Sequence, residues 1–185
     1  ATNLVPGQTS GLPSVYVYDF VDRTFRAVSV TPFGKPGDAT ATNADLSPDG
    51  GYIAFTSDST DLVPYDANNT FDVFLRDLAA GTTVRLSATQ SGVEPNGQSF
   101  YATVSSGAVR VAFASRATNL GPADASTVSD IYLLDRPTNT LKRVTRPVGT
   151  GETNGDSTYP VISADGRWIA FESQASNLVA GDTNQ

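Results

Sequence analysis

The sequence contains neither cysteine nor histidine. Without cysteine the chain can form no disulfide and offers no thiolate nucleophile and no cysteine-ligated zinc site. Without histidine it lacks the commonest general base and the commonest metal ligand, and a Ser-His-Asp triad is excluded. Carboxylates could still catalyse a reaction, but most familiar enzyme mechanisms are removed. We therefore predict that the chain is not an enzyme.

Positive charge is also scarce, since 12 lysines and arginines stand against 19 aspartates and glutamates, for a formal net charge of −7. Nucleic acids and anionic membrane surfaces select for basic patches, so neither is an expected partner. No apolar run approaches the length needed to cross a bilayer, and we predict no membrane insertion. The 185 residues suffice for one domain with a buried core, spanning residues 1–185.

Internal repetition organises the chain. Shifting the sequence by 58 residues aligns it with itself without an insertion. The shared columns include Leu4, Leu62, Leu120 and Leu178; Asp19, Asp77 and Asp135; and Thr24, Thr82 and Thr140. Residues 175–185, ASNLVAGDTNQ, repeat residues 1–11, ATNLVPGQTSG. The chain therefore comprises three repeats and the beginning of a fourth.

Each repeat predicts four short β-strands. Alternating apolar residues in SVYVYDF, DVFLRDL and DIYLLDR indicate one strand, and RAVSV, VRLSA and KRVTR indicate a second one after a turn. A third strand, NADLS, YATVS or YPVIS, leads through PDG, SSG or ADG into a fourth, YIAFTS, RVAFAS or WIAFES. Asp-Gly is typical of tight hairpin turns, because glycine tolerates positive φ. No stretch has a convincing helical period, so the predicted fold class is all-β.

Four antiparallel strands per repeat are typical of a β-propeller blade. The runs SPDGGYIAFTS and SADGRWIAFES resemble the PD40, or WD40-like, repeat of TolB-type propellers. The flanking TNLVPG…VYVYD and SNLVAGDTN resemble a PD40 subgroup common in bacterial extracytoplasmic proteins, which implies a periplasmic or secreted location. The middle repeat, SSGAVRVAFAS, lacks the Asp-Gly and leaves its turn type open. The resemblance covers the whole chain, and it implies a fold more specifically than a function.

The phase of the repeat divides one blade between the two ends of the chain. In the family that the sequence resembles, the strand before PDG is the innermost, so the strands are labelled a to d from the centre outward. Residues 1–33 then hold strands c and d of a split blade, residues 34–91 and 92–149 are complete blades, and residues 150–185 hold strands a and b plus an overlapping tail. Three blade equivalents are too few to close a ring, because propellers have about four to eight blades.

Two arrangements would pair the open ends. Two copies could form a six-bladed ring, in which each C-terminal a–b pair joins the c–d pair of the partner. Alternatively, the chain could be part of a longer propeller that supplies the missing blades. In a homodimer the duplicated eleven residues compete for one place at each junction, and we expect the tail after Asn177 to be displaced.

Oxygen-bearing side chains recur in the loop between strands b and c of both complete blades. They are Asp66, Asn68 and Asp72 in DANNTFD, and Asp124, Ser126 and Asp130 in DASTVSD. Alternating oxygen ligands suit a hard cation, so calcium is the one cofactor that the pattern suggests. The glycine and the bidentate glutamate of an EF-hand loop are missing, however. The alternative, which we favour, is that these side chains hydrogen-bond to their own backbone.

Two further loops, NGQSFY and NGDSTY, precede innermost strands and should border one mouth of the central channel. Polar side chains beside aromatic rings suit a peptide or a sugar, although such loops are polar in most propellers. The candidate ligand-binding residues are Asn96, Gln98, Tyr101, Asn154, Asp156 and Tyr159.

Residues that recur in every repeat are expected to be structural, because a catalytic role would create several equivalent sites. We expect the repeated aspartates to cap backbone N–H groups of the turn between strands c and d or to pair with a nearby arginine, and we expect the repeated phenylalanines to pack between blades. These residues are Asp19, Asp77 and Asp135, and Phe55, Phe113 and Phe171.

The predicted function is that of a non-enzymatic, TolB-like PD40 module that binds a protein, a peptide or another ligand, or that assembles with itself. The resemblance also implies an alternative, in which the propeller gates access to a hydrolase domain outside this chain, as in the prolyl oligopeptidase class. A GxSxG segment in a fuller sequence would favour this gating role. A third possibility is a propeller fragment that assembles but has no activity of its own.

Overall fold

The computed structural model describes residues 4–6, 11–121 and 124–182. In this part of the chain twelve β-strands and one short 3₁₀ turn, Ser106–Ala108, are present, and the all-β prediction is confirmed. The strands are β1 Tyr16–Asp19, β2 Thr24–Ala27, β3 Ala41–Leu46, β4 Tyr52–Ser57, β5 Asp72–Asp77, β6 Thr82–Arg85, β7 Ser99–Val104, β8 Arg110–Ser115, β9 Asp130–Asp135, β10 Thr140–Arg143, β11 Ser157–Ile162 and β12 Ile169–Ser173. No helix in these residues has the length and apolar character that crossing a membrane requires.

The strands form four antiparallel sheets that follow one another along the chain. Strands β3 to β6 make the first blade, in the order β3-β4-β5-β6, and β7 to β10 make the second blade in the same way. Strands β1 and β2 pair as the N-terminal half-blade, and β11 and β12 pair as the C-terminal half-blade. The predicted blades of four antiparallel strands are thus confirmed, with a half-blade on either side of them.

The two complete blades keep the same strand register. Strand β4 pairs Phe55 with Phe74 of β5, and β8 pairs Phe113 with Tyr132 of β9, at positions 58 residues further along. Aromatic and β-branched residues at these positions favour strands, because their side chains pack well on a pleated surface. The repeat in sequence is therefore also a repeat in hydrogen bonding.

The first strand of each sheet contains a bulge. The register of β3 shifts between Thr42 and Asp45, and β7 and β11 shift at the equivalent positions. At this point Asn43, Tyr101 and Tyr159 have left-handed backbone conformations, with φ of 50°, 55° and 50°. Left-handed φ is uncommon for asparagine and rarer for a bulky side chain. The bulge departs from the regular alternation of side chains along the strand.

The hairpin turn between the first two strands differs in the middle repeat. Gly50 and Gly166 adopt φ of 71° and 70°, as the Asp-Gly sequence predicts. In the second blade the same position is Ala108, which has φ of 48° at the end of the 3₁₀ turn. Its N–H donates to the Ser105 carbonyl at 3.0 Å, just as the Gly50 N–H donates to the carbonyl of Ser47 at 2.8 Å. The closing hydrogen bond is therefore preserved, but the turn conformation differs, because Gly107 also has positive φ, of 64°, where the equivalent Asp49 does not.

The repeated aspartates cap the turns between the third and fourth strands. The Asp19 Oδ1 atom accepts from two successive backbone N–H groups, at 2.8 and 3.1 Å, and these hydrogen bonds lower the pKa of Asp19. Asp77 caps its turn in the same way, at 2.9 and 2.8 Å. Asp135 accepts from the Thr138 N–H at 3.4 Å and from the Thr138 hydroxyl at 2.8 Å, and it also pairs with the Arg110 guanidinium at 3.1 Å. Each carboxylate thus has the structural role that its recurrence predicts.

The outermost strands begin earlier than the sequence indicates. We predict a strand at RAVSV, yet β2 is Thr24–Ala27, because the capped turn is tight and pairing begins directly after it. Val28 and Val30 are buried outside the strand, in the segment that leads to the next blade. The prediction of a strand at RAVSV is wrong because Val28 and Val30 alternate with polar residues as in a strand, although they lie in a connection.

The core lies between successive sheets. One apolar cluster joins the N-terminal half-blade to the first blade, with Val15 and Val28 packed on Phe55. A second cluster joins the two complete blades and includes Phe113. Phe55 and Phe113 are fully buried, as predicted for residues between blades, whereas Phe171 of the C-terminal half-blade is only half-buried.

Candidate binding face along the inner strands

The first strands of successive sheets, β3, β7 and β11, lie side by side and are called the inner strands. Side chains join them. The Asp45 Oδ2 atom accepts from the Val104 N–H at 2.8 Å and from the Thr103 hydroxyl at 3.0 Å. The Thr103 hydroxyl oxygen in turn accepts from the Ile162 N–H at 3.4 Å. Equivalent positions of consecutive repeats are thereby linked, and the inner strands form one continuous face.

Two tyrosines contact each other on this face. Tyr101 and Tyr159 come from the bulges of β7 and β11, with ring centres 4.2 Å apart and hydroxyl oxygens 3.2 Å apart. The hydrogen bond between the hydroxyl groups raises the pKa of Tyr101. Backbone strain of this kind persists only where the surrounding structure enforces it, and it clusters at functional sites. The pair therefore marks the inner-strand face as a candidate binding face.

Two cavities open beside the tyrosines. The first, of about 340 Å³, lies between β7 and β11, and its lining includes the ion pair of Arg116 Nη2 and Asp156 Oδ2 at 2.9 Å. The second, of about 320 Å³, lies between the first and second blades. Phe100, Tyr101 and Arg116 line both cavities, so the two form one groove along the face. Volumes of about 300–1,000 Å³ are typical of small-molecule sites.

Four of the six predicted ligand-face residues line this groove. They are Gln98, Tyr101, Asp156 and Tyr159. Asn96 and Asn154 do not line it, because both hold the loop before an inner strand to the loop that follows the second strand. Their ligand role stays a prediction, as it does for the other four.

Asn96 shows how this attachment works. Its Oδ1 atom accepts from the Thr118 N–H at 2.8 Å, its Nδ2 donates to the Thr118 hydroxyl at 2.8 Å, and its own N–H donates to Asn119 Oδ1 at 3.0 Å. Asn154 makes the same three contacts with Ser176 and Asn177. The terminal repeat of ATNL, at residues 175–178, is thus held within its own chain through Asn177. The first copy, Ala1 to Asn3, lies outside the described residues, as does the end of the tail, whose displacement stays a prediction.

The predicted calcium residues surround an arginine in the first blade. Arg85 Nη1 lies 3.2 Å from Asp66 Oδ1, 3.6 Å from Asp72 Oδ2 and 2.7 Å from Glu94 Oε1. Asn68 donates to Asp72 at 3.0 Å, and its Oδ1 accepts from a backbone N–H two residues on. Burial and the neighbouring Asp72 charge raise the pKa of Asp66 to about 6, and burial raises the pKa of Asp72.

The second blade repeats this arginine cluster. Arg143 Nη1 lies 3.2 Å from Asp124 Oδ1, 3.4 Å from Asp130 Oδ2 and 2.5 Å from Glu152 Oε2. The Ser126 N–H donates to Asp124 Oδ1 at 3.3 Å, so this loop also hydrogen-bonds to its own backbone. Within residues 4–6, 11–121 and 124–182, no three acidic side chains are grouped so as to hold a metal ion. The calcium hypothesis stays a prediction, and the guanidinium is the cation that these carboxylates contact.

The sequence contains a pattern that predicts these arginine clusters, although the search for repeated oxygen ligands did not use it. Arg85 and Arg143 share a column, and so do Glu94 and Glu152. The first repeat has Ala27 in the arginine column and Pro36 in the glutamate column. The first repeat thus lacks both the arginine and the glutamate, as expected if the charged residues of a cluster are needed together.

The half-blades are less buried than the complete blades. Strands β4 and β8 are buried along five of their six residues, whereas β12, which carries the same Ala-Phe core, has no buried residue. Likewise β5 is buried at four positions and the equivalent β1 at none. Both strands have one neighbour in the described sheets where their counterparts have two. Each half-blade therefore presents an open edge and an uncovered apolar face.

Solved structures with a similar fold include a TolB protein and a protease. A protein described as TolB, from Agrobacterium tumefaciens, matches with a TM-score of 0.57 and 15% identity over 89% of this chain and 47% of its own. The tricorn protease matches with a TM-score of 0.55 and 13% identity over 90% of this chain and 13% of its own. The chain thus spans less than half the length of either protein.

At such low identity these likenesses show the fold alone. Neither a protein-family model nor a curated protein matches the sequence. Three observations indicate the same fold: the complete blades have four strands, their inner strands lie side by side, and both solved structures match. The chain has the fold of a TolB-like β-propeller.

Proposed function

We propose that the chain is a non-enzymatic β-propeller module that serves as a binding scaffold, and that two copies complete a six-bladed ring. The observation that carries the proposal is the pair of complementary half-blades. The N-terminal half-blade has the third and fourth strands of a blade, and the C-terminal half-blade has the first and second. Unpaired strand edges are an aggregation hazard that proteins normally cover. Joining the two halves removes both open edges.

The repeat supplies a register for the proposed junction. In the complete blades Ala54 lies opposite Leu75, and Ala112 lies opposite Leu133. Carrying the same register to the split blade places Ala170 of β12 opposite the partner's Val17. The six pairs are Trp168 with the partner's Asp19, Ile169 with the partner's Tyr18, Ala170 with the partner's Val17, Phe171 with the partner's Tyr16, Glu172 with the partner's Val15, and Ser173 with the partner's Ser14.

The inner strands supply a matching apolar contact. At the internal junctions Asp45 and Thr103 bond to the next inner strand through their side chains. The third residue in this column is Val161, which is 63% exposed and has no polar group to offer. In the ring it meets the partner's Leu46, and Leu46 is itself 49% exposed in the single chain. An apolar pair thus takes the place of the hydrogen bonds.

The turns at the outer edge supply a second contact. In the chain, the Arg136 guanidinium from the turn of the second blade lies 5.5 Å from the ring centre of Tyr52 in the first blade. At the next junction, which lies between two copies, Phe20 is the equivalent of Arg136 and the partner's Arg110 is the equivalent of Tyr52. The contact is again between a cation and an aromatic ring, but the ring now comes from the turn. Phe20 is 86% exposed in the single chain. At the next junction Trp168, which is 65% exposed, meets the partner's Leu78.

Engineered disulfides test the junction directly, because the chain has no cysteine of its own. Directly opposed residues on antiparallel strands have Cβ atoms about 4.5–5.5 Å apart, close to the spacing that a disulfide requires. We expect the double variant Val17→Cys with Ala170→Cys to form covalent dimers under mild oxidation. The control Val17→Cys with Glu172→Cys shifts the register by two residues and should remain uncrosslinked. Equal crosslinking of both variants would contradict the ring.

A contact at the edge provides a second test. Phe20→Ala should weaken self-association, since it removes a ring that packs on the partner's Arg110. Phe33→Ala is the matched control, because Phe33 is as exposed and lies outside the junction. We expect the dissociation constant, measured by sedimentation, to rise about tenfold for Phe20→Ala, or about 1.4 kcal/mol, and to stay unchanged for Phe33→Ala.

An enzyme-linked role is the second candidate. The match to a protein named tricorn protease shows that blades of this form occur within a protease chain. Under this alternative the propeller gates access to a hydrolase domain encoded beyond these residues. A hydrolase domain with a GxSxG segment in the full-length gene product would favour gating over a free-standing scaffold.

We also propose an extracytoplasmic location, either periplasmic or secreted. The resemblance of SNLVAGDTN to repeats of bacterial extracytoplasmic proteins supports it, and a cysteine-free chain is compatible with an oxidising compartment. Fractionation of cells that express the full-length gene product would test the proposal, and recovery in the cytoplasmic fraction would overturn it.

A further inference from the structure

The cavity between the first and second blades contains a buried hydroxyl group without a partner. Thr56 on β4 is 2% exposed, and its Oγ1 atom has no hydrogen-bond partner in the described part of the chain. Its side chain lines the cavity of about 320 Å³. A buried hydroxyl that forms no hydrogen bond is costly, and native proteins retain few of them. The blade itself does not require the group, because the equivalent residue of the second blade is Ala114.

The lining of this cavity combines aromatic rings with amide and hydroxyl groups and one arginine. It contains no aliphatic hydrophobic side chain and no carboxylate. The lining residues are Thr42, Asn43, Thr56, Phe71, Gln98, Phe100, Tyr101 and Arg116. Amide and hydroxyl groups both donate and accept hydrogen bonds. A ligand with many hydroxyl groups and a flat apolar face can satisfy all of them.

We propose that this cavity binds a neutral sugar unit. One face of a pyranose ring carries C–H groups that pack on aromatic side chains such as Phe71, Phe100 and Tyr101. Its hydroxyl groups meet the Asn43 and Gln98 amides at the rim and the Thr56 hydroxyl at the buried end. The Thr56 Oγ1 atom has no hydrogen-bond partner among the described residues, and because it is buried it turns toward the cavity to gain one when the sugar binds.

The charges and backbone of the site favour a sugar over an ionic ligand or a peptide strand. Arg116 is already paired with Asp156 at 2.9 Å, so an anion gains little from it, and no acidic side chain lines the cavity to hold a cation. The Ser99 N–H donates to the Phe71 carbonyl at 2.7 Å, and the Arg116 N–H donates to the Gln98 carbonyl at 2.8 Å. These backbone groups are therefore unavailable for an added strand.

The inference rests on the binding part of the proposed function and is independent of the ring. All eight lining residues belong to one chain and lie outside the junction. Failure of sugar binding would leave a dimer intact, and failure to dimerise would leave this cavity in place. The two proposals can thus fail separately.

Titration with free sugars, followed by NMR, tests the proposal. Glucose, galactose, mannose and N-acetylglucosamine are each added to the isotope-labelled protein up to about 50 mM, since weak single-site binding has a Kd of about 1 mM or above. We expect at least one of them to shift the side-chain amide signals of Asn43 and Gln98. Maltose and cellobiose form a second arm, and tighter binding of either indicates a sugar unit within a glycan chain.

Variants decide whether the shifts come from this cavity. Thr56→Val keeps the shape of the side chain and removes the hydroxyl, and Phe71→Leu removes a ring, so each should weaken binding at least fivefold. Thr158→Val, in the neighbouring cavity, is the matched control and should bind as the parent does. If none of the sugars shifts the two amides, or if the shifts persist unchanged in Thr56→Val and Phe71→Leu, the proposal is overturned.

Discussion

Replacing Asp66 by asparagine should change how the stability of the protein depends on pH. The Asp66 side chain is almost fully buried and contacts Arg85 at 3.2 Å. Arg85 also contacts Asp72 and Glu94, so one guanidinium is shared by three carboxyl groups. Burial and the Asp72 charge raise the pKa of Asp66 from 3.8 to about 6. The folded protein therefore holds a proton on Asp66 that the unfolded chain releases at lower pH.

The magnitude follows from linkage between protonation and folding. Moving the pKa from 3.8 to about 6 corresponds to about 3 kcal/mol, at about 1.4 kcal/mol for each pH unit. Because the folded pKa of Asp66 is the higher one, this stabilisation is fully present below pH 3.8 and is lost as the pH rises through 6. The side-chain amide that Asp66→Asn introduces carries no titrating proton and shows no such loss.

Urea unfolding of both proteins from about pH 4 to pH 8 measures the effect, at a fixed protein concentration because association also adds stability. We expect the free energy of unfolding of Asp66→Asn to increase relative to that of the parent by about 2–3 kcal/mol from pH 4 to pH 8, because only the parent loses this stabilisation. Asp22→Asn, in an exposed turn, controls for the loss of one charge. A difference between parent and Asp66→Asn that stays constant with pH would show that Asp66 titrates alike in the folded and unfolded protein.

Two further predictions concern the arginine clusters and the loop attachments. Calcium added after EDTA treatment should leave the unfolding midpoint unchanged, because Arg85 and Arg143 already contact the carboxylates; a clear rise would instead support the calcium sites suggested by the sequence. Gly97→Ala should lower the free energy of unfolding by about 2 kcal/mol or more, since a Cβ there would lie 2.6 Å from the Arg116 carbonyl oxygen. Gly51→Ala is its control, because a Cβ there comes no closer than 3.6 Å to a neighbour, and equal losses in calorimetry would contradict the steric argument.

The blade architecture could be predicted from the sequence because the same pattern of strands and turns occurs in three repeats. A single Asp-Gly turn is weak evidence, but Gly50 and Gly166 at matching positions both adopt the predicted positive φ. Comparing the repeats within this chain also distinguishes residues that recur at every equivalent position from residues that vary. The outermost strands were misplaced, because Val28 and Val30 alternate like a strand although they belong to a connection.

The binding face was harder to predict because it depends on a backbone feature. Pattern reasoning treats the inner strands as regular, whereas a bulge places Tyr101 and Tyr159 in left-handed conformations that tyrosine rarely adopts. The Thr56 hydroxyl lies on a strand whose apolar neighbours suggest only a core role. Its importance appears only when the lack of a partner and the adjacent cavity are seen together.

Sedimentation equilibrium of the purified chain tests whether two copies join into a ring. Across about 1–100 µM protein, a range that covers dimers of micromolar affinity, we expect the mean mass to rise toward twice the 19.4 kDa chain mass as the concentration increases. A species of 19.4 kDa throughout this range would contradict it, since the open halves of the split blade would then be left unjoined.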